Sequence, residues 1–305
     1  MRVSCFGKIA AVAARSLGLV TRAQAARLGV SDAALRHMVD GGILEQCSRH
    51  VFRVTAAPRT PGQPVLAACL AAGPDALAAR RTAAALHRFD GCAPLERVTP
   101  IEIVVPATCR VRAADYVLHR SDTLEAIDRC WVGPIPATSR VRTLIDLGAV
   151  VSREQVEEAL DGAERDGKVD RRILTRRVAA LRAPGRSGVG TIAAILDRRA
   201  AIAALPRSVL ERRFTRLVHR HRLPVPVAQH RVVRTDGKVA YLDFAYPDRH
   251  LAIELQGNGT HATPGQRAAD HTRANALPAW RFVWFTYEDV LTRPDYVAAT
   301  IAHRL

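Results

Sequence analysis

Apolar positions in the first sixty residues recur at helical spacing in two short bursts and then give way to a strand-like run. Within Val20 to Asp40, Thr21 and Gln24 form a T-x-x-Q capping box that starts one helix. Gly29 stops that helix, and Ser31 caps a second one two residues later. Ala25, Leu28, Val30, Leu35 and Met38 fall where the two helices pack on each other, which leaves Asp32, Arg36 and His37 toward solvent. After Gly41 and Gly42, the run from Ile43 to Val54 has the apolar content of a short hairpin carrying Arg49, His50 and Arg53. Helix, tight turn, helix and basic hairpin predict a winged helix-turn-helix. Its second helix would offer Arg36 and His37 to the major groove, and its wing would set Arg49, His50 and Arg53 over phosphates of duplex DNA.

The pattern changes twice more along the chain. Residues 59 to about 92 read as Ala-rich helix with Pro and Gly punctuation, and residues 95 to about 200 as mixed strands and helices. A boundary follows the Arg-rich, Gly-containing stretch Arg182 to Gly190 and the helix Thr191 to Ala203, where Leu205-Pro206 breaks the periodicity. From Ser208 the order is helix, three strands, helix, strand, helix. The fold class is therefore α+β multidomain: a winged helix-turn-helix region over 1–92, a mixed α/β middle domain over 93–204 and a third domain over 205–305. In the middle block Arg140, Arg142 and Asp146 read as a solvated helix start with its ion pairs.

Charge narrows the function. The 305 residues hold 45 Lys+Arg against 29 Asp+Glu, a formal net charge of +16. Arginine dominates and pairs with phosphate in a planar fork, so nucleic acid is the expected partner, against the alternative of a solubility or GC-rich-genome bias. Six cysteines (Cys5, Cys47, Cys69, Cys92, Cys109 and Cys130) form no C-x-x-C pair. They fit neither a disulfide scaffold nor a zinc site and point to a reducing, cytoplasmic setting. Ile9 to Ala14 with Ala23-Gln24-Ala25 imitates a secretory signal, but Arg15 interrupts the apolar run. No apolar run approaches the ~18 residues that a membrane-spanning helix needs.

The third region carries the candidate chemistry. Asp243 lies in the strand Ala240 to Tyr246, whose alternation predicts Leu242 and Phe244 on one face and Asp243 on the other. A tight turn through Pro247 to His250 feeds Leu251 to Gln256, where Glu254 and Gln256 share a face opposite Ile253 and Leu255. Asp243 and Glu254 thus meet on adjacent antiparallel strands. Two such carboxylates repel unless a divalent cation, magnesium or manganese, neutralises them, and such a metal activates water against a phosphodiester.

Two resemblances extend these readings. The segment from Val20, together with Ile135 to Leu147 and Glu154 to Leu174, resembles AbiEi-type antitoxins of bacterial type IV toxin–antitoxin systems. That resemblance implies promoter DNA as ligand and a cognate toxin as partner. Residues from Ser208 through Asp243, Glu254, Gly257, His261, Asp270, Arg273 and Leu277 to Thr286 resemble the very-short-patch-repair-like branch of the PD-(D/E)xK nucleases, with a restriction-endonuclease-like αβββαβ core. It implies Asp243 and Glu254 as metal ligands, Glu211 as an auxiliary acid, Gln256 in the place of the signature lysine, and His261 and Asp270 bordering the site. Each has a plainer reading: Ser208 and Glu211 make an S-x-x-E capping box, His261 is a loop histidine, and Asp270 with Arg273 is an i,i+3 pair. A neutral glutamine at 256 orients water but supplies no charge, so the expected functions are a DNA-targeted metal-dependent endonuclease or a non-catalytic antitoxin-type regulator. A mismatch- or damage-nicking repair role rests on analogy of the last domain.

Overall fold

Two capped helices and a hairpin set the geometry of the N-terminal region. The computed structural model describes residues 5–111, 115–183, 188–203, 207–256 and 274–305. It places α1 at Cys5–Ala13, β1 at Leu19–Thr21, α2 at Arg22–Arg27, α3 at Asp32–Asp40, β2 at Leu44–Gln46 and β3 at Val51–Val54. The Thr21 hydroxyl accepts from the Gln24 N–H while the Gln24 side chain accepts from the Thr21 N–H, the reciprocal box that satisfies the first orphan donors of α2. Ser31 accepts from the Ala34 N–H and starts α3. Gly29 between them has φ +76°, a left-handed turn that glycine adopts without a Cβ clash. The three strands pair antiparallel in the order β1-β3-β2. Ile9, Val20, Ala25, Leu35, Leu44 and Phe52 form the core beneath.

The following elements build a five-stranded sheet. They are α4 (Gly62–Ala72), β4 (Leu77–Ala78), α5 (Arg80–His87), β5 (Glu102–Pro106), β6 (Val117–Ser121), β7 (Arg129–Val132), β8 (Ile135–Thr138), α6 (Arg140–Leu147), α7 (Arg153–Arg165), α8 (Arg171–Leu181) and α9 (Val189–Ala203). The strand order is β6-β5-β4-β8-β7, so β4, from the region expected to belong with the reader, is the central strand. Leu19 and Val51 of the winged helix share one buried cluster with Val65 and Cys69 of α4 and with Ile103 and Ile135 of the sheet. At about 1.5–3 kcal/mol for each fully buried aliphatic side chain, this shared core joins reader and sheet, and no break falls near residue 92. The chain divides instead into two compact units, Met1–Ile195 and Leu196–Leu305.

Arg142 and Asp146 correct the expectation of a solvated helix start. Ser139 caps α6, but the Arg142 side chain is only 7% exposed and holds Asp146 at 2.9 Å and Asp128 at 3.1 Å. Arg177 of α8 reaches the same Asp128 and also Glu125 at 2.8 Å, so one buried carboxylate ties α6 and α8 to the segment between β6 and β7. Burial raises the Asp146 carboxyl above its ordinary value, and the Arg142 pairing opposes that shift without cancelling it.

The second unit holds α10 (Arg207–Arg220), β9 (Val227–Val233), β10 (Val239–Tyr246), β11 (Leu251–Gln256), β12 (Arg281–Thr286), α11 (Tyr287–Thr292) and α12 (Pro294–Arg304). Its four strands run in the order β12-β11-β10-β9; β10 is antiparallel to both neighbours and β11 is parallel to β12. Phe214 and Val218 of α10 pack against Phe244, Ile253 and Phe285, and the Phe214 and Phe244 rings lie 4.5 Å apart. Helix-strand-strand-strand followed by strand-helix matches the expected order among the described residues; of the segment for the helix expected between β11 and β12, residues 257–273 lie outside them, and residues 274 and 275 are helical.

Candidate nucleic-acid interface and acidic pair

The reader face is assembled at α3 and at the turn joining β2 to β3. Arg36 and His37 are exposed on α3, while Leu35 and Met38 beside them are buried, as helical spacing requires. Arg49 and His50 are exposed in the wing turn, which the Cys47 N–H closes by donating to the Val51 carbonyl at 2.9 Å. All four of these expected DNA-contacting residues are exposed, two on the second helix of the pair and two on the wing turn.

Arg53 does not. It is 5% exposed, and its guanidinium donates to Glu45 at 2.8 and 3.0 Å and to the Ala57 carbonyl at 2.8 Å. The expected wing cation is thus a brace across the β2–β3 hairpin. The Arg53 hydrogen bond, helped by Arg59 at 2.9 Å, holds the Glu45 carboxyl below its ordinary value. Arg22 is a residue that pattern reading missed. At the first position of α2 it meets Asp32 at the start of α3 at 2.6 Å, donates from Nε to the Arg49 carbonyl at 3.3 Å, and lies 5.2 Å from the centre of the Phe52 ring. One side chain therefore links both helix starts to the wing. An arginine directly after an N-cap was the available signal, but its partners are 10 and 27 residues away.

In the second unit Asp243 and Glu254 are each 4% exposed. The β10–β11 register pairs Phe244 with Ile253, and Asp243 and Glu254 are the next positions beyond that pair on the two strands. Ile253 and Leu255 lie in the α10-facing core as expected. Leu242 and Phe244 do not share a face: Leu242 packs with Val232, Ala252 and Leu277, whereas Phe244 packs with Phe214. The alternation breaks at Asp243 for a local reason. Its carboxylate accepts the Leu255 N–H at 3.0 Å, and the β9 residue opposite, Gln229, has φ +48°. An acceptor-only side chain that takes a strand N–H opens the ladder at this point.

The remaining expected site residues are distributed as follows. Glu211 is half-buried on α10, and Ser208 lies inside that helix, so the capping-box reading of the pair is not met. Gln256 ends β11, in register with Thr286 of β12. His261 and Asp270 lie outside the described residues. Among the described residues no group of three or more His, Cys, Asp and Glu is placed to hold a metal ion. Asp243 and Glu254 are buried carboxylates on adjacent strands, and oxygen donors of this kind are the type that magnesium or manganese would take.

The other features bear on setting. Cys47, Cys69, Cys92, Cys109 and Cys130 are free thiols. Burial pushes Cys69 up to about 12 and Cys92 up to about 11. No helix among the described residues is long and apolar enough to cross a membrane.

A winged helix with an exposed basic helix face and wing defines the class of the N-terminal region. Residues 8–55 match the family described as "Transcriptional regulator, AbiEi antitoxin". Over 238 residues the chain is also 29% identical to two relatives in Mycobacterium tuberculosis, "Uncharacterized protein MT2308" of strain CDC 1551 / Oshkosh and "Uncharacterized protein Rv2248" of strain H37Rv. The alignment covers 76% of this chain and 82% of each relative.

Proposed function

We propose that this chain is a winged-helix DNA-binding regulator of the AbiEi type, acting in the cytoplasm on promoter DNA and paired with a cognate toxin. The supporting observation is the joint exposure of Arg36 and His37 on α3 and of Arg49 and His50 on the wing, within the segment that matches the family. Arg36 and His37 address base edges, Arg49 and His50 address phosphates, and Arg22 sets the angle between them. A selection from random duplexes followed by gel shift tests this. Arg36→Ala shifts the selected sequence and Arg49→Ala weakens all sequences alike; selection of no sequence by the wild type refutes the regulator reading.

A second reading concerns the other unit, and the mutual burial of Asp243 and Glu254 favours it. Bound there, a divalent metal supplies water activation and charge stabilisation for phosphodiester hydrolysis. Asp243 and Glu254 would hold the metal, and Asp243 also accepts the Leu255 N–H, which fixes the carboxylate's orientation. Gln256 stands in the lysine's place and brings no positive charge, so its activity is weak: loss of one charge-stabilising donor costs about 100- to 1000-fold. Manganese-supported nicking of supercoiled plasmid tests this. Glu254→Ala abolishes it and Gln256→Lys raises it; equal nicking by Glu254→Ala and wild type removes the nuclease reading.

A further inference from the structure

Between the wing and α4 lies a cavity of about 480 Å³. One wall is apolar, formed by Ala67, Ala68 and Ala71 of α4 together with Ile101; the other is the wing itself, at Gln46, Cys47 and Ser48. The volume falls in the range of roughly 300–1,000 Å³ typical of sites for small organic ligands. Four charged residues line it, and they balance: Arg53 and Arg59 against Glu45 and Asp115, with both arginines already committed to Glu45 at 2.8 and 2.9 Å. An incoming anion would have to displace Glu45 from a pair it already makes, and an incoming cation would meet two guanidinia. Thr60 adds a specific handle. Thr60 is one of the lining residues, and its buried hydroxyl oxygen has no hydrogen-bond partner, an arrangement that costs free energy unless a small shift lets a ligand group meet it. Its backbone N–H and the neighbouring Gln63 amide are by contrast fully engaged.

We propose that this cavity binds a neutral, mainly apolar small molecule with one hydrogen-bonding group, and that occupancy shifts the wing and so regulates DNA affinity. The regulatory half rests on the DNA-binding reading above; the binding half does not. The coupling follows from the walls. A ligand that fills the space between α4 and residues 46–48 contacts the strand end and turn that carry Arg49 and His50, so its occupancy and the wing's position are linked.

The test uses the full chain and two dyes with one ring system: N-phenyl-1-naphthylamine, which is neutral, and 1-anilinonaphthalene-8-sulfonate, which is anionic. The neutral dye binds saturably at one site per chain, and the sulfonate binds about tenfold or more weakly. Ala67→Phe fills the cavity from a half-buried helix position and abolishes neutral-dye binding, with unchanged circular dichroism and melting temperature. Thr60→Val keeps the shape, removes the hydroxyl and weakens binding several-fold, so the site is testable even where Ala67→Phe misfolds. Saturating neutral dye changes the affinity for a labelled mixed-sequence duplex by about fivefold or more in the wild type, and by none in Ala67→Phe. Non-saturable dye uptake, or uptake that neither variant changes, overturns the site; equal affinity for both dyes overturns its neutral class. Dye binding that leaves duplex affinity untouched overturns the regulation. A chain that binds the neutral dye as stated but never binds duplex sinks the DNA-binding reading, and the ligand site stands.

Discussion

Removing Asp128 tests the scaffold that shares its core with the reader. Its carboxylate accepts from Arg142 at 3.1 Å, from Arg177 Nε at 2.9 Å and from the Glu125 N–H at 3.1 Å, and its side chain is 1% exposed. Truncating one partner of a buried ion pair costs about 3–5 kcal/mol, because the other charge stays buried without compensation. In Asp128→Ala, Arg142 keeps Asp146 at 2.9 Å and Arg177 keeps Glu125 at 2.8 Å, which places the cost near the lower end. For a unit the size of Met1–Ile195, each kcal/mol shifts the melting temperature by about 2–4 °C. Scanning calorimetry of the full chain should therefore show the transition of this unit lowered by about 6–12 °C. Asp128→Asn, which retains the shape and one acceptor, falls between the variant and wild type. A drop below about 2 °C in Asp128→Ala would refute the view that this carboxylate organises α6 and α8.

Three further outcomes follow from particular residues. Burial holds the His87 imidazole below its ordinary value, although its Nε2 donates to the Thr138 carbonyl at 2.8 Å. The unfolded chain therefore takes up the proton first, and the stability His87 confers is present above pH ~6.5 and is lost as pH falls below it. Denaturant titrations of wild type and His87→Asn should accordingly converge between neutral pH and pH ~5; parallel curves would remove this assignment. Ser31→Ala removes the α3 cap and should destabilise the fold by about 1 kcal/mol, read as a lowered urea midpoint, with no change meaning that the hydroxyl carries no cap. Manganese titration calorimetry should give heat in the wild type and none in Asp243→Ala; equal heats exclude the acidic pair as the metal site.

The parts of the fold that were legible in the sequence are those set by near neighbours. Thr21, Gln24, Gly29 and Ser31 each act on residues close to them in the chain, and the bounds of α2 and α3 follow from them. The strand pair that carries Asp243 and Glu254 is likewise local, joined by a turn through Pro247 to His250. Long-range partners decided the rest. Arg53 looked like an outward wing residue until Glu45 and the Ala57 carbonyl enclosed it. Arg142 looked solvated because Asp128 and Arg177, 14 and 35 positions away, carry no mark of that contact. β4 is two residues long and too short for any alternation, yet it centres a sheet. At Asp243 the period-2 rule failed because the side chain itself captured a strand N–H.

The most direct test of the central claim is the salt dependence of duplex binding by the full chain, compared with Arg49→Ala. Contact with about five phosphates gives a log–log slope of affinity against salt near −4 to −5. Loss of the exposed Arg49 should reduce that slope by about one while leaving the melting temperature unchanged, since Arg49 donates no side-chain hydrogen bond within the described fold. Fluorescence anisotropy on a labelled duplex over a range of potassium chloride concentrations measures both slopes. No binding at low salt, a slope near zero, or identical slopes for wild type and Arg49→Ala would contradict the account.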